Sequence, residues 1–255
     1  MITIDLIGRL GNQMFQYAIC RTVAEKKGYE FHIPRSKNNH DQNISNYFNL
    51  DMGVENCNTN KFFSENHTVQ NYNPEIFNIS DNTKIWGFYQ TDKYFIDNED
   101  NVKSWFNIEA DDATKLILQK YPIDEYCYIH FRGTDYKEWD GGKRFLPIEY
   151  YKIAMSKILE TKSLKFLVIT DDIELASEFF ENTDIISNDM MVDFKLIFYS
   201  KYCIITNSTF SWWAAWLSNK EITIAPNNWL NYNNPELGFY PVDIKTNKFQ
   251  YVDKL

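Results

Sequence analysis

Residues 2–33 read ITIDLIGRLGNQMFQYAICRTVAEKKGYEFHI. Ile2 to Ile7 has the composition of a short buried strand. Gly8 and Gly11 mark a turn, and Asn12 stands where it can cap a helix. From Gln13 to Lys27 the apolar residues Met14, Phe15, Tyr17, Ala18, Cys20, Val23 and Ala24 recur at helical spacing, and Gly28 follows as a stop. Phe31 to Ile33 predicts a second strand. A strand, turn, helix and strand in immediate succession predict a parallel α/β sheet.

The alternation returns from residue 126. Strands are predicted over 126–131, 165–169, 202–206 and 221–225, and helices over 147–160, 172–181, 191–200 and 209–218. Between the two alternations, residues 35–82 are rich in Asn and Asp and predict mostly irregular chain. Ile85 to Tyr89 predicts a strand, a short helix is expected near Thr91, and residues 109–120 predict a helix stopped before Pro122. The boundary is therefore set at residues 121–125. It gives an N-terminal domain over 1–122 and a C-terminal domain over 123–255. The aromatic and polar tail from Asn227 is expected to pack back on the N-terminal domain.

Bulk properties narrow the function. The chain has 255 residues, a net charge of −9 and no basic block, which argues against a general nucleic-acid binder. One arginine can still hold a phosphate in an acidic protein. Cys20, Cys57, Cys127 and Cys203 are far apart with no C-x-x-C pair, so neither a zinc site nor a disulfide framework is expected. Three of them, Cys20, Cys127 and Cys203, lie in apolar runs and read as core residues. The start shows no basic-then-apolar leader pattern. No run of about 18 apolar residues occurs, so no membrane span is expected. The expected compartment is the cytoplasm, with peripheral contact the one membrane association left open.

Four segments carry polar groups where strands end. The first is YIHFRGTDY, Tyr128 to Tyr136, with His130, Arg132 and Asp135 at the close of an apolar run. Ligands of open α/β sheets gather beyond the carboxyl ends of strands, and the guanidinium fork suits phosphate oxygens. A plain Arg–Asp pair and a core histidine are the competing readings. The second is GRLGNQMFQYA, Gly8 to Ala18, which is not a dinucleotide fingerprint and on pattern alone reads as a tight β–α turn. The third is ITNSTFSWWAAWLSN, Ile205 to Asn219, where Asn207 or Ser208 can cap a helix whose N–H groups suit an anion. In its helix Trp213, Trp216 and Leu217 share one face and read as core. The fourth is FLVITDDIELA. There Asp171 either meets a ribose hydroxyl or base edge or caps a helix, and Asp172 and Glu174 fall in the first helical turn. Asp193, in MMVDFKLIF, is a carboxylate in an apolar helix that needs a partner. No D-x-D, P-loop, G-x-S-x-G or H-E-x-x-H occurs in the chain.

GRLGNQMFQYA, HFRGTD and NSTFSWWAAWL, in this order, resemble glycosyltransferase family 11, the α-1,2-fucosyltransferases. WGFYQTDKYF from Trp86 and DFKLIFYSKYCIITNS from Asp193 extend the resemblance over most of the chain. The resemblance implies an α/β, GT-B-like architecture of two Rossmann-like domains facing a cleft, the N-terminal one on the acceptor side and the C-terminal one holding the donor. It implies transfer of L-fucose from GDP-β-L-fucose, with inversion and without a metal or other cofactor, to a glycan hydroxyl, in the first instance the 2-OH of galactose. Its partners are then a GDP-sugar and a glycan. It implies that Arg132 contacts the diphosphate and that Asn12 meets the leaving diphosphate. Ser208, Thr209 and Phe210 meet the phosphate or nucleoside, Asp171 meets the nucleoside, and His130 lines the donor. Asp135 is carried as the candidate base. The family's central motif is H-x-R-R-x-D, and its second Arg is Gly133 here. Lys137, Lys143 and Arg144 are the cations that stand to replace it. The alternatives are a GT-B transferase for another nucleotide sugar and a sugar-binding relative without turnover.

Overall fold

The computed structural model describes residues 1–34, 43–55, 58–238 and 240–254. Cys57 and residues 35–42 of the expected irregular segment lie outside the described residues. The chain divides into two compact units, Met1–Asn107 with Pro241–Thr246, and Ile108–Tyr240 with Asn247–Leu255. The division falls at 107/108 and not at 122/123, because the helix expected before Pro122 packs in the second unit. Of the tail, the stretch Pro241–Thr246 belongs to the first unit, where Asp243 accepts from the Tyr72 N–H at 2.7 Å and pairs with Lys93 at 2.5 Å.

The first unit holds a parallel four-stranded sheet. Its strands are β1 (Ile2–Ile4), β2 (Phe31–His32), β3 (Lys61–Ser64) and β4 (Thr83–Trp86), in the order β2-β1-β4-β3. Helix α1 (Leu10–Lys27) connects β1 to β2 and buries Met14, Phe15, Tyr17, Ala18, Cys20 and Val23. It ends because Gly28 takes φ 66°, which lets the Gly28 and Tyr29 N–H groups close on Glu25 O and Ala24 O at 3.2 and 2.9 Å. Lys26 and Lys27 in its last turn suit the negative end of the helix. The helix starts at Leu10, three residues before the expected position, so Arg9 holds the N-cap position and Asn12 lies inside the first turn. A short helix, α2 (Glu99–Trp105), closes the unit, and a 3-10 turn over Asp92–Tyr94 stands where a helix was expected near Thr91.

The second unit opens with α3 (Asp112–Lys120), capped by Asp111 accepting from the Thr114 N–H at 2.8 Å. It contains β5 (Tyr126–Phe131), α4 (Ile148–Thr161), β6 (Lys165–Thr170), α5 (Ile173–Phe179), β7 (Asp184–Ile186), α6 (Met190–Tyr199), β8 (Tyr202–Ile204), α7 (Thr209–Trp216), β9 (Ile222–Pro226) and β10 (Gln250–Val252). All pairings are parallel, in the order β10-β9-β8-β5-β6-β7. The chain runs from β5 outward through β6 and β7, then returns to the other side of β5 for β8 to β10. The strand order thus reverses at the β5/β8 boundary, the crevice in which open α/β sheets take ligands.

All six residues of β5 are buried. Cys127, Ile129 and Phe131 face α4 and α5 in a core with Tyr150, Tyr151, Ala154 and Phe180. Strand alternation sends Tyr128 and His130 to the opposite face, where the His130 ring lies 5.5 Å from that of Phe210 of α7. Trp213, Trp216 and Leu217 are buried, as their shared helical face predicts. No described helix is long and apolar enough to cross a membrane.

Candidate active site

Arg132 follows β5 directly. Its Nε and Nη2 both donate to Asp135 Oδ1, at 3.1 and 2.8 Å, and its guanidinium lies 5.0 Å above the Tyr136 ring. The Tyr136 hydroxyl in turn donates to Asn207 O at 3.2 Å, tying this turn to the loop after β8. The Arg132 side chain is 14% exposed. Its Nη1 meets no protein acceptor among the described residues, which leaves donor capacity of a fixed cation unused by the protein. Tyr136 was not singled out in the sequence; its place four residues after Arg132 in a turn is the signal that would have found it.

His130 is buried, and its Nδ1 has no hydrogen-bond partner among the described residues. Burial first, and the Arg132 charge second, hold its pKa down at about 3 against a weaker opposing pull from Asp171. The ring is therefore neutral at physiological pH, and a neutral imidazole offers one donor and one acceptor.

Asp171 stands beside Arg132 because β5 and β6 run in register, Phe131 opposite Thr170. Its Oδ1 accepts from the Gly133 N–H at 2.8 Å and its Oδ2 from the Thr134 hydroxyl at 2.7 Å. It does not cap α5. Asp172 does, accepting from the Leu175 N–H at 3.1 Å, and its other oxygen pairs with Lys137 Nζ at 3.0 Å. Of the three cations expected to replace the family's second arginine, Lys137 is thus paired. Arg144 is held by Asp140 at 3.0 Å, Leu230 O at 2.8 Å and Asn231 Oδ1 at 2.6 Å. Lys143 is exposed on the same turn.

Across the β5/β8 boundary, Ser208 is the N-cap position of α7 but its side chain bonds no helix N–H. Asn207 lies one residue before the N-cap, its Oδ1 accepting from the Thr206 hydroxyl at 3.0 Å and its Nδ2 donating to Arg144 O at 2.8 Å. The structure therefore brings His130, Arg132, Asp135, Asp171, Ser208, Thr209 and Phe210 to the carboxyl ends of three adjacent strands.

Asn12 belongs to the first unit. Gly8 takes φ 74°, and a Cβ there would stand 2.5 Å from Asn12 Nδ2. Asn12 Oδ1 accepts from Gln90 Nε2 at 2.9 Å. Gln16 bridges the Ile7 N–H and Gly87 O at 2.9 and 3.1 Å. The opening motif and the segment after Trp86 thus form one polar cluster beyond β1 and β4. Below it lies Glu65, a buried carboxylate accepting from the Phe88 and Tyr89 N–H groups at 2.8 and 3.0 Å. Burial raises its pKa and those two bonds oppose the rise. Glu65 gave no signal in the sequence because it falls in the Asn-rich segment.

Asp193 of α6 finds the partner its position demands in Asn188 Nδ2, at 2.8 Å. Burial, reinforced by the charges of Asp171 and Asp189, still raises its pKa to about 7 against that bond. The folded protein then holds a proton that the unfolded chain releases near 3.8. Its contribution is present at low pH and is lost as pH rises toward 7. Asp193→Asn is expected to gain stability over the parent chain between pH 4 and 7, reaching at most about 4 kcal/mol above pH 7. Urea unfolding at pH 5 and pH 8 checks this; an equal difference at both values would show that Asp193 does not titrate there.

With this geometry in view, the family profile of glycosyl transferase family 11 matches residues 1–239. The chain belongs to that family. It is a glycosyltransferase, and its paired parallel α/β sheets are the GT-B fold. Among family 11 relatives, the alpha-1,2-colitosyltransferase of Escherichia coli is 28% identical over 274 residues, covering 90% of this chain and 92% of that one. Among solved structures, fucosyltransferase NodZ from Bradyrhizobium aligns with a TM-score of 0.56 at 13% identity, over 85% of this chain and 92% of that one. NodZ alpha-1,6-fucosyltransferase soaked with GDP-fucose aligns at 0.54 and 14% identity over the same shares. At such identity these structures speak for the fold.

Proposed function

We propose that this glycosyltransferase moves L-fucose from GDP-β-L-fucose to a glycan hydroxyl, the 2-OH of a galactoside, with inversion and without a metal. The observation that carries the reading is Arg132, oriented by Asp135 and Tyr136 at the sheet's switch point through Nε and Nη2, with no protein acceptor for Nη1 among the described residues. As the glycosidic bond breaks, positive charge grows on the sugar and negative charge on the diphosphate. A guanidinium already held in place stabilises the second without reorganising. The N–H groups at the start of α7 add to this, and with no D-x-D in the chain the charge rests on these groups. His130 and Phe210 line the donor beside Arg132. Asp135, which receives two guanidinium bonds, acts here by orienting Arg132.

The colitosyltransferase relative favours a second reading, in which the donor sugar is colitose, the 3-deoxy counterpart of L-fucose. Its alpha-1,2 linkage agrees with the 2-OH assignment. A donor panel of GDP-fucose, GDP-colitose, GDP-mannose and UDP-galactose with galactoside acceptors, read by mass spectrometry and linkage analysis, decides between them. GDP-fucose is expected to give the highest rate, at an unchanged level in EDTA. Preference for GDP-colitose would move the assignment to the second reading, and EDTA inhibition reversed by Mn²⁺ would overturn the metal-free route.

A further inference from the structure

We propose that Asp171 is the positioning residue of the diphosphate site, acting through the turn that carries Arg132 and not through the nucleoside. The inference rests on the reading of Arg132 as the diphosphate ligand. A strand that ends must hand its next backbone N–H groups to some acceptor. Here the buried Gly133 N–H goes to Asp171 Oδ1 at 2.8 Å, and the next side chain, Thr134, goes to Oδ2 at 2.7 Å. One carboxylate therefore fixes both residues that follow Arg132. The in-register pairing of β5 and β6 puts it opposite them. Its neighbour Asp172 works separately, capping α5 and holding Lys137. Gly133 is closed in from that side, with the Asp172 Cβ 2.6 Å from where its own Cβ would stand. The turn continues through Lys137 N–H to Gly133 O at 3.1 Å and Trp139 N–H to Asp135 O at 3.0 Å, which places Asp135 and Tyr136 against the guanidinium. Asp171 thus sets the start of the turn whose end orients Arg132, and a preset donor is worth more to catalysis than a mobile one.

The alternative, a direct bond from Asp171 to a ribose hydroxyl or base edge, makes a different prediction. Calorimetry with GDP and with guanosine separates the two, on the parent chain and on Asp171→Ala, Asp171→Asn, Thr134→Val, Arg132→Ala and the Asp171→Ala/Arg132→Ala pair. Asp171 is solvent-exposed, so water competes for its bonds. Asp171→Ala is accordingly expected to weaken GDP binding about five- to tenfold with guanosine binding unchanged, and Thr134→Val about two- to threefold. Asp171→Asn keeps an acceptor for the Gly133 N–H and is expected to recover most of the loss. In the Arg132→Ala background, Asp171→Ala is expected to add nothing. A matching loss of guanosine affinity, or a loss that simply adds to that of Arg132→Ala, overturns the proposal. Should Asp171→Ala fail to fold, Asp171→Asn and Thr134→Val carry the same comparison. The Arg132→Ala arm stands apart: unchanged GDP affinity there would unseat the diphosphate reading itself.

Discussion

Arg132→Ala is expected to lower fucosyl transfer by about 10²–10³-fold, the usual cost of removing one preset donor to a developing oxyanion. The fold should survive. The Arg132–Asp135 pair spans three residues within one turn, and Asp135 is 42% exposed, so losing the pair costs the scaffold little. Arg132→Lys keeps the charge but loses the planar fork that lets Asp135 hold Nε and Nη2 while Nη1 meets no protein acceptor among the described residues. It is expected to recover only part of the rate. Steady-state kinetics with GDP-fucose, alongside a thermal unfolding scan, give both readings. Transfer within threefold of the parent rate in Arg132→Ala would remove this residue from the mechanism.

Gly133→Arg restores the arginine pair of the family motif and is nevertheless expected to damage the protein. The obstacle is steric. A Cβ at 133 would stand 2.6 Å from Asp172 Cβ, 3.1 Å from Asp172 Oδ2 and 3.1 Å from Leu175 Cδ2. Asp172 Cβ belongs to the N-cap of α5, so clearing space moves the helix start and strains the Gly133 N–H bond to Asp171. Overpacking of this kind costs about 1–3 kcal/mol, or a fall of about 3–10 °C in Tm for a chain of this size. Activity is expected to drop more than tenfold, because the displaced turn carries Arg132 out of position. A Gly133→Arg protein with unchanged Tm and higher GDP affinity would show that the turn accommodates the second cation.

Much of the second unit was legible because its central strand and the helices beside it have strong periods. Tyr126–Phe131 matches the predicted strand to the residue, and the four helices around it differ by a few residues at their ends. The elements that escaped are at the edges. Lys61–Ser64 is a mostly exposed strand, and Asp184–Ile186 is short and only half-buried. Gln250–Val252 earns its place by pairing with β9 from far along the chain. Edge strands bury too little for an alternating pattern to stand out in sequence. The start of α1 was misplaced for a local reason: Arg9, which has no capping side chain, takes the extended N-cap conformation, and the helix begins before the residue with a capping amide.

The parallel α/β class, the central strand with its flanking helices, the family and the arginine at the end of β5 can all be read from the chain, since each is written in periods or motifs within a short window. What the neighbouring charges do depends on contacts that form only when the chain folds. Asp171 and Asp172 are adjacent and chemically alike, yet the first holds the Arg132 turn and the second caps a helix. Lys137 and Arg144 have the charge of the missing arginine but are already paired. A side chain's role is set by which donors and acceptors surround it, and those arrive from strands and loops tens of residues away.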